Sequence, residues 1–460
     1  MSDVGYHVTR GCKTHVLGST WGLLCILIMM IHAFPASAAP TPRQPIRMWF
    51  WGAPPNLQEA LQHALVDPFN ASQSRYTLEV EYRNTVDSDV RVSVMAGQGP
   101  DLIFTSGPSY IARFAKAGML EPLNRYARQY GWDNRLLTQV TDSCKLSGEL
   151  YCVVPAVVTD GMFYNKAVLK EHGWSVPTRG DELIAIMQAA QKAGLYASVT
   201  GNKGWQPVNE DYASLFVNQV AGPMRFYDVL TGAAPWDSPP MRAAIEQSAI
   251  WYRAGYLGGR DYFSLNFDQA LALLHSHRTP FFFAPSFAYQ WATNYFTGAQ
   301  ESDLGFAPFP NMSSDVPYPT YDIGVGFTLS INAASKVKDG AAQVLDRIQS
   351  ADFVRAISRG WPGYWAVPLR DFPNDPGADP ITATYYAATQ QIMQSIRKGQ
   401  FGFKIQTFCP PATTNVFIDE IESVWLGKMT ADQLLKKAAR AFEREQARHI
   451  VVTPPTPRFQ

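Results

Sequence analysis

The sequence has little charge and no excess of either sign. Its 460 residues hold 39 lysines and arginines against 39 aspartates and glutamates, and only 17% of the chain is charged. With 46% hydrophobic residues as well, the composition excludes a disordered chain. The zero net charge argues against a protein that holds nucleic acid through phosphate contacts. The length predicts two or three domains, each large enough to bury a core.

The usual signatures of catalysis and of cofactor binding are also missing. The sequence has no Gly-x-Ser-x-Gly, no Gly-x-x-x-x-Gly-Lys-Ser/Thr and no His-Glu-x-x-His. Gly97 and Gly99 lack a third glycine and precede a strand, so they do not predict a dinucleotide site. His275 and His277 have no third metal-ligating residue near them, which favours a solvated helix end over a metal site. We therefore expect neither a cofactor nor a metal.

A long apolar run is found only at the N-terminus. Arg10 and Lys13 precede an apolar stretch from Trp21 to Phe34, and the small-x-small pattern Ala-Ser-Ala follows at 36–38. This order predicts a cleaved secretory signal peptide over residues 1–38. A membrane anchor is the alternative, but the run is shorter than the about 20 residues that a spanning helix needs. We expect an exported, soluble and periplasmic mature chain.

Cysteine is scarce, and three cysteines remain after residue 38: Cys144, Cys152 and Cys409. A turn signal stands between the first two, and a three-residue turn over 147–149 would place them opposite each other. An exported compartment permits such a pair to oxidise, so we expect a Cys144–Cys152 disulfide. Two half-buried thiols are the alternative. Cys409 is then unpaired and expected to be buried.

Aromatic residues, by contrast, are abundant: the chain has 12 Trp, 21 Tyr and 26 Phe, or 13%. Strand patterns alternate with helical ones, which predicts an α/β fold with largely parallel sheets. In such sheets ligands bind beyond the carboxyl ends of the strands. The first predicted strand ends at Trp51. The segment from Val451 onward is rich in proline and is predicted to be a loose end.

Several short sequence blocks follow one another in a fixed order along the chain. They lie at 97–104 (Gly-Gln-Gly-Pro-Asp-Leu-Ile-Phe), 118–123, 148–166, 173–183, 305–310, 324–327, 363–368 and 427–434. Together they resemble the family 1 extracellular solute-binding proteins of ABC importers, the maltose-binding type. Arg179 stands where that family usually has Trp. The resemblance implies a two-lobed periplasmic binding protein fold of type II, α/β in class, that closes on its ligand by a hinge motion.

The resemblance also implies where the lobes begin and end. Three inter-lobe crossings are expected near 154–159, 324–328 and 372–380. The implied division of the chain is a signal peptide at 1–38, a first lobe at 39–155 plus 328–375, a second lobe at 158–324 plus 378–450, and a loose tail at 451–460.

The expected ligand is a neutral sugar, because sugar rings stack on aromatic side chains and their hydroxyls bond planar polar groups. Trp51 is the first stacking candidate, and Trp49 shares its face of the strand. The other candidates follow strand ends, crossings or ring-rich turns, in part through the resemblance: Ser106, Ser109, Tyr110, Asp160, Trp205, Glu210, Tyr212, Ser286, Gly324, Trp361, Tyr364 and Trp365. At least one ring of the 361–365 loop is expected to face the cleft.

These features predict a binding protein rather than an enzyme, one that delivers a neutral sugar, oligosaccharide or polyol to the permease of an ABC importer. We expect a monomer with no nucleic-acid partner. The alternatives are an exported carbohydrate hydrolase, which could use Glu210 or Asp160 as its acids, and a sensor with the same fold. No Arg/Lys cluster stands at the predicted strand ends, which disfavours a phosphorylated ligand.

Overall fold

The computed structural model describes residues 42–459. The predicted signal peptide and its cleavage site lie outside these residues. Within the described part of the chain, no helix is both long enough and apolar enough to cross a membrane.

Eleven strands form three sheets in this part of the chain. They are β1 Gln44–Trp51, β2 Tyr76–Arg83, β3 Leu102–Thr105, β4 Lys145–Leu146, β5 Glu149–Leu150, β6 Val153–Val158, β7 Asp160–Asn165, β8 Phe281–Pro285, β9 Leu304–Pro308, β10 Tyr321–Ile331 and β11 Phe401–Phe403.

Helices cover the sheets and supply most of the C-terminal region. The α-helices are α1 Pro55–Leu61, α2 Asp67–Ser72, α3 Val86–Met95, α4 Pro108–Lys116, α5 Asn124–Tyr130, α6 Trp132–Arg135, α7 Thr138–Thr141, α8 Lys166–Glu171, α9 Gly180–Lys192, α10 Val208–Phe216, α11 Pro223–Leu230, α12 Pro239–Arg253, α13 Phe267–His275, α14 Tyr289–Ala292, α15 Lys338–Ile348, α16 Ala351–Ser358, α17 Pro380–Lys398, α18 Ile405–Phe408, α19 Pro411–Trp425 and α20 Ala431–Gln446.

The first sheet has the strand order β11-β10-β3-β1-β2, and β6 pairs with β10. β1 is parallel to β2, with Trp51 opposite Arg83, and it is also parallel to β3. β10 is antiparallel to both β3 and β6. β10 and β11 form a further parallel pair. The alternation of strands and helices predicts the parallel group of β1, β2 and β3. Their carboxyl ends therefore meet at one edge of the sheet, where ligands of α/β folds bind.

The side chains of β1 show how alternation places rings at this edge. Ile46, Met48 and Phe50 are fully buried on one face of the strand. Trp49 and Trp51 lie on the other face and are only partly buried. Because successive side chains of a strand point to opposite faces, one face of β1 is buried in the core and the two indoles of the other face lie beside solvent.

The second sheet, of order β8-β7-β9, is antiparallel throughout, so the prediction of largely parallel sheets is wrong for it. Contacts between an aromatic ring on one strand and a glycine on its neighbour fix the register of this sheet. A Cβ added to Gly305 would lie 2.2 Å from the ring of Tyr164, its cross-strand partner, and one added to Gly161 would lie 2.3 Å from the ring of Phe306. The sequence pattern shows helices between the strands, but it does not show that these strands reverse direction.

β6 and β10 connect the two sheets along the chain. Only Thr159 separates β6 from β7 in the second sheet. β10 pairs with β3 and β6 through its later residues and with β11 through Tyr321–Ile323. The crossings expected near 154–159 and 324–328 fall in these two strands. The limits of the two lobes stay a prediction.

Cys144 and Cys152 form a disulfide, with their Cα atoms 5.2 Å apart. The turn between them differs from the expected one. Ser147 and Gly148 both have positive φ angles, 52° and 84°, so β4 and β5 are joined by a tight two-residue turn. This shorter turn sets Cys144 opposite Tyr151 rather than Cys152. Cys409 is buried and unpaired.

The C-terminal segment also differs from its prediction, because residues 451–459 pack against the protein instead of forming a loose tail. Val452 is 5% exposed. The hydroxyl of Thr456 lies 3.0 Å from that of Tyr227 on α11, and the Arg458 amide donates to the carbonyl of Gly399 at 2.7 Å. Prolines exclude a regular element here, yet the segment buries apolar side chains that a search for periodic patterns does not detect.

Candidate functional site

A cavity of about 970 Å³ opens beside the carboxyl ends of β1, β2 and β3. Its lining draws on the ends of these strands, on the 201–207, 266–268 and 287–291 segments, and on β6, β10 and α18. Rings make up much of the lining, which includes Trp51, Phe104, Tyr110, Trp205, Phe267, Phe287, Trp291 and Tyr364. The volume is at the upper end of the about 300–1,000 Å³ that small-molecule sites occupy.

One set of rings, which we name the first ring cluster, comprises Trp51, Trp361 and Tyr364. The centroids of Trp51 and Tyr364 lie 5.6 Å apart, and Tyr364 stacks on Trp361 at 5.0 Å. Tyr364 also stacks on Phe327 of β10 at 5.1 Å. These core contacts hold Trp51 and Tyr364 in place, so neither ring needs ordering when a ligand binds.

A second ring cluster comprises Trp205, Phe267, Phe287 and Trp291. Trp205 lies 5.2 Å from Phe267 and 5.8 Å from Phe287, and Phe267 lies 5.9 Å from Trp291, between ring centroids. Gln290, beside Trp291 in the chain, accepts a hydrogen bond from the indole of Trp361 at 3.0 Å. This bond joins the segment that carries the second cluster to the first.

Asp87, in the first turn of α3, supplies a carboxylate to the cavity. Its Oδ1 accepts the backbone N–H of Ser106 at 3.2 Å, and its Oδ2 accepts the Ser106 hydroxyl at 2.5 Å. Burial raises the pKa of Asp87, and the two bonds from Ser106 oppose this only in part. The charge of Asp87 in turn adds to the effect of burial in raising the pKa of Tyr110.

Below the cavity lies a buried ion cluster of Lys404, Asp160 and Asp211. The Lys404 Nζ lies 2.7 and 2.6 Å from the two oxygens of Asp160, and it also pairs with Asp211. Asp322 of β10 accepts the backbone N–H of Asp160 at 2.8 Å. Burial alone would lower the pKa of Lys404, but the carboxylates of Asp160 and Asp211 outweigh it and raise that pKa, so Lys404 stays charged.

The structure brings five of the predicted site residues to the cavity. These are Trp51, Ser106, Tyr110, Trp205 and Tyr364. Tyr364 is the one member of the 361–365 loop in the lining, since Trp361 and Trp365 are fully buried. Trp365 stacks on Phe50 at 5.5 Å.

The predicted carboxylates lie in the ion cluster or beside it instead of in the cavity lining. Asp160 pairs with Lys404, as described above. Glu210 accepts the Gln406 amide at 3.0 Å and the Ser214 hydroxyl, and burial raises its pKa to about 7. The charge of Lys404 makes the burial of both acids less costly. The sequence does not show which acids lie near this lysine.

The remaining predicted residues form hydrogen bonds or packing contacts within the protein and do not line the cavity. The Ser109 hydroxyl donates to the carbonyl of Gln406 at 3.2 Å, and the Ser286 hydroxyl accepts the Thr159 amide at 3.3 Å. Tyr212 packs 6.2 Å from both Tyr262 and Trp425 in the core. Trp49 lies under the guanidinium of Arg83 at 3.6 Å. Gly324 lies against the Lys404 side chain, which leaves no room there for a Cβ.

Sequence reasoning missed several of the residues that line the cavity. Asn84 directly follows β2, in a strand-end position of the kind that predicts ligand contacts, and Asp87 lies in the first turn of α3. Gln290, Trp291 and Gln406 stand in short helices that no motif marks. Their position depends on how the second sheet and α18 pack, and no sequence pattern reports this.

The chain belongs to the family described as bacterial extracellular solute-binding proteins. The family model matches residues 54–353. The chain has the two-lobed α/β fold of the maltose-binding type, as solved structures of sugar-binding proteins show.

Among similar proteins, a maltotriose-binding protein of Pyrococcus abyssi is 28% identical over 134 residues, which are 29% of this chain and 28% of that protein. A probable sugar-binding periplasmic protein of Mesorhizobium japonicum is 21% identical over 373 residues, 77% of this chain and 82% of that protein. The solved structure of a chitin oligosaccharide binding protein matches with a TM-score of 0.73 at 16% identity, over 88% of this chain and 99% of that one.

Proposed function

We propose that this protein is the substrate-binding component of an ABC importer and captures a sugar, oligosaccharide or polyol in the 970 Å³ cavity. The observation that carries the proposal is the pairing of the two ring clusters around one cavity. Flat aromatic faces suit the C–H faces of sugar rings. The size of the cavity favours an oligosaccharide over a single sugar unit.

Capture by hinge closure follows from the same arrangement. The lining draws on strands of the first sheet and on the 287–291 segment that follows β8 of the second sheet, and β6 and β10 connect the two sheets. Closure would bring the ring clusters onto the two sides of a bound sugar and exclude water from its hydroxyls. The closed form would then be delivered, as a monomer, to a membrane permease after export of the chain to the periplasm.

The alternative of a carbohydrate hydrolase is less well supported. A glycosidase needs two carboxyl groups on either side of the scissile bond. Asp160 and Glu210, the acids that the sequence suggested for this alternative, are buried in or beside the ion cluster and do not line the cavity. Asp87 and Asp268 do line it, so a hydrolase would have to use these two acids. A sensor with the same fold would bind its ligand in the same way and differ only in its partner.

A thermal-shift screen of the mature chain against mono- and oligosaccharides and polyols tests the proposal. A ligand at 100 times its Kd stabilises the folded state by about 2.7 kcal/mol and raises the Tm by several degrees. We expect oligosaccharides to give the largest shifts. The proposal fails if no sugar or polyol raises the Tm, and release of shorter sugars during incubation would favour the hydrolase.

A further inference from the structure

Trp205, a member of the second ring cluster, reaches the cavity on an irregular loop. Residues 201–207 form turns and belong to no helix or strand, and most of them line the cavity. Within the loop, the Trp205 amide donates to the carbonyl of Asn202 at 3.1 Å. A loop of this kind takes its conformation from contacts with the rigid elements around it. The contacts at its two ends therefore decide where the Trp205 indole lies.

One carboxylate oxygen contacts both ends of this loop. The Oε1 of Glu422 on α19 accepts the side-chain amide of Asn202 at 2.5 Å and that of Asn209 at 2.7 Å. Asn202 stands just before the turn that carries Trp205, and Asn209, which is fully buried, lies in the first turn of α10. Glu422 thus joins two points of the chain that flank Trp205.

The helix that carries Glu422 is itself part of the cavity wall. Thr414 and Ile418 of α19 line the cavity. Residues 414, 418 and 422 are four apart, so they share one side of the helix. At the end of α19, the buried Trp425 indole donates to the Ser248 hydroxyl of α12 at 2.9 Å. The carboxylate is therefore presented to the loop from a helix that is fixed in the core.

The bonds of Glu422 suit it to fix the loop. A carboxylate oxygen accepts two donors, and hydrogen bonds to a charged acceptor are about twice as strong as neutral ones. The Asn209 amide also donates to the carbonyl of Ile418 at 2.8 Å, and its oxygen accepts the Tyr262 hydroxyl. Asn209 is thus held on several sides, whereas Asn202 has Glu422 as its side-chain partner. Loss of the carboxylate would free the Asn202 end of the loop first.

We infer that Glu422 is a positioning residue for ligand binding, which holds Asn202 and Asn209 so that the Trp205 indole is fixed in the cavity before a sugar arrives. Glu422 is not part of the lining, so it acts through Trp205 and does not touch the ligand. A loop that is already ordered costs less entropy when it binds. The inference rests on the proposed function and adds to it a residue that no ring or strand-end pattern marks.

A double-mutant cycle measured by calorimetry tests the inference. The probes are cellotriose, maltotriose and acetylated chitotriose, and the one that the wild type binds most tightly is carried into the variants. Glu422→Met removes the acceptor and should raise the Kd about tenfold, because binding must then order the loop. In a Trp205→Ala background the same substitution should change the Kd less than twofold, since the indole through which it acts is gone.

Two further variants separate positioning from a general loss of structure. Glu422→Gln keeps an oxygen for both asparagine amides and should bind within about twofold of the wild type. Glu420→Met changes a neighbouring acid of α19 that pairs with Lys437, and it should leave the Kd unchanged. If Glu422→Met does not fold, Asn202→Ala removes one of the two bonds and should raise the Kd about threefold, again only where Trp205 is present.

The outcomes distinguish this inference from the proposed function. The inference is overturned, while sugar binding stands, if Glu422→Met binds as tightly as the wild type. It is also overturned if the substitution weakens binding by the same factor with and without Trp205. If the wild type binds none of the three trisaccharides, the proposed capture of an oligosaccharide fails and the inference fails with it.

Discussion

The carboxylates at and below the cavity are of two kinds: some pair with a buried lysine, whereas Asp87 does not. Asp160 and Asp211 are buried and share the ammonium of Lys404. Asp87 lies in the cavity among rings, with only Ser106 to bond it. The first group has its compensation within the protein and holds segments of the chain together. Asp87 faces the open cavity instead, and we propose it as the acid that a ligand contacts.

The largest expected effect comes from removing the cation of the ion cluster. Lys404→Met leaves Asp160 and Asp211 buried without a partner, which should lower the free energy of unfolding by about 3–5 kcal/mol. Urea denaturation measures this loss. Lys203→Met, which changes an exposed lysine of the cavity lining, is the matched control and should stay within about 0.5 kcal/mol of the wild type. A Lys404→Met protein as stable as this control would show that the cluster does not hold the fold.

A smaller effect is expected from pH, through Glu210 beside the same cluster. Burial raises its folded pKa from 4.5 to about 7, so the folded state holds the extra proton. Its contribution to stability is therefore complete below pH 4.5 and is lost as the pH rises through about 7. Relative to Glu210→Gln, which cannot ionise, the wild-type Tm should fall across this window. Parallel Tm curves for the two proteins would contradict the assignment.

The rings provide a third comparison, on binding rather than stability. Trp51→Ala removes a face of the first ring cluster and should weaken oligosaccharide binding by about 2 kcal/mol, or about thirtyfold. Trp49→Ala alters the neighbouring indole on the same strand face, which Arg83 covers outside the cavity. Its Kd should stay within about twofold of the wild type. Equal losses in the two variants, measured by calorimetry, would place the sugar elsewhere.

Sequence alone predicted the features that depend on local pattern. Strand alternation placed Trp51 at the edge of the first sheet, and the turn signal between Cys144 and Cys152 predicted their disulfide, although the turn has two residues instead of three. Ordered blocks predicted the family. What sequence could not supply were contacts between distant segments. Asp160 and Lys404 are 244 residues apart in the chain, so the pairing that takes Asp160 out of the cavity has no local signature.

The antiparallel direction of the second sheet could not be predicted for the same reason. Its strands pair across long intervening helical segments, and the glycine and ring residues that fix its register, such as Gly305 and Tyr164, become partners only when the strands meet. The aromatic surplus illustrates the same limit. Trp361 and Trp365 lie in a turn-rich loop yet are fully buried, whereas Tyr364 between them reaches the cavity.

A crystal structure of the protein with its best-bound oligosaccharide tests the contrast between the two groups of carboxylates most directly. The account predicts a sugar unit stacked on Trp51 or Tyr364 with a donor group on Asp87, and an unbroken contact between Lys404 and Asp160. A sugar bonded to Asp160 or Asp211, with the Lys404 pair opened and Asp87 left in water, would contradict it.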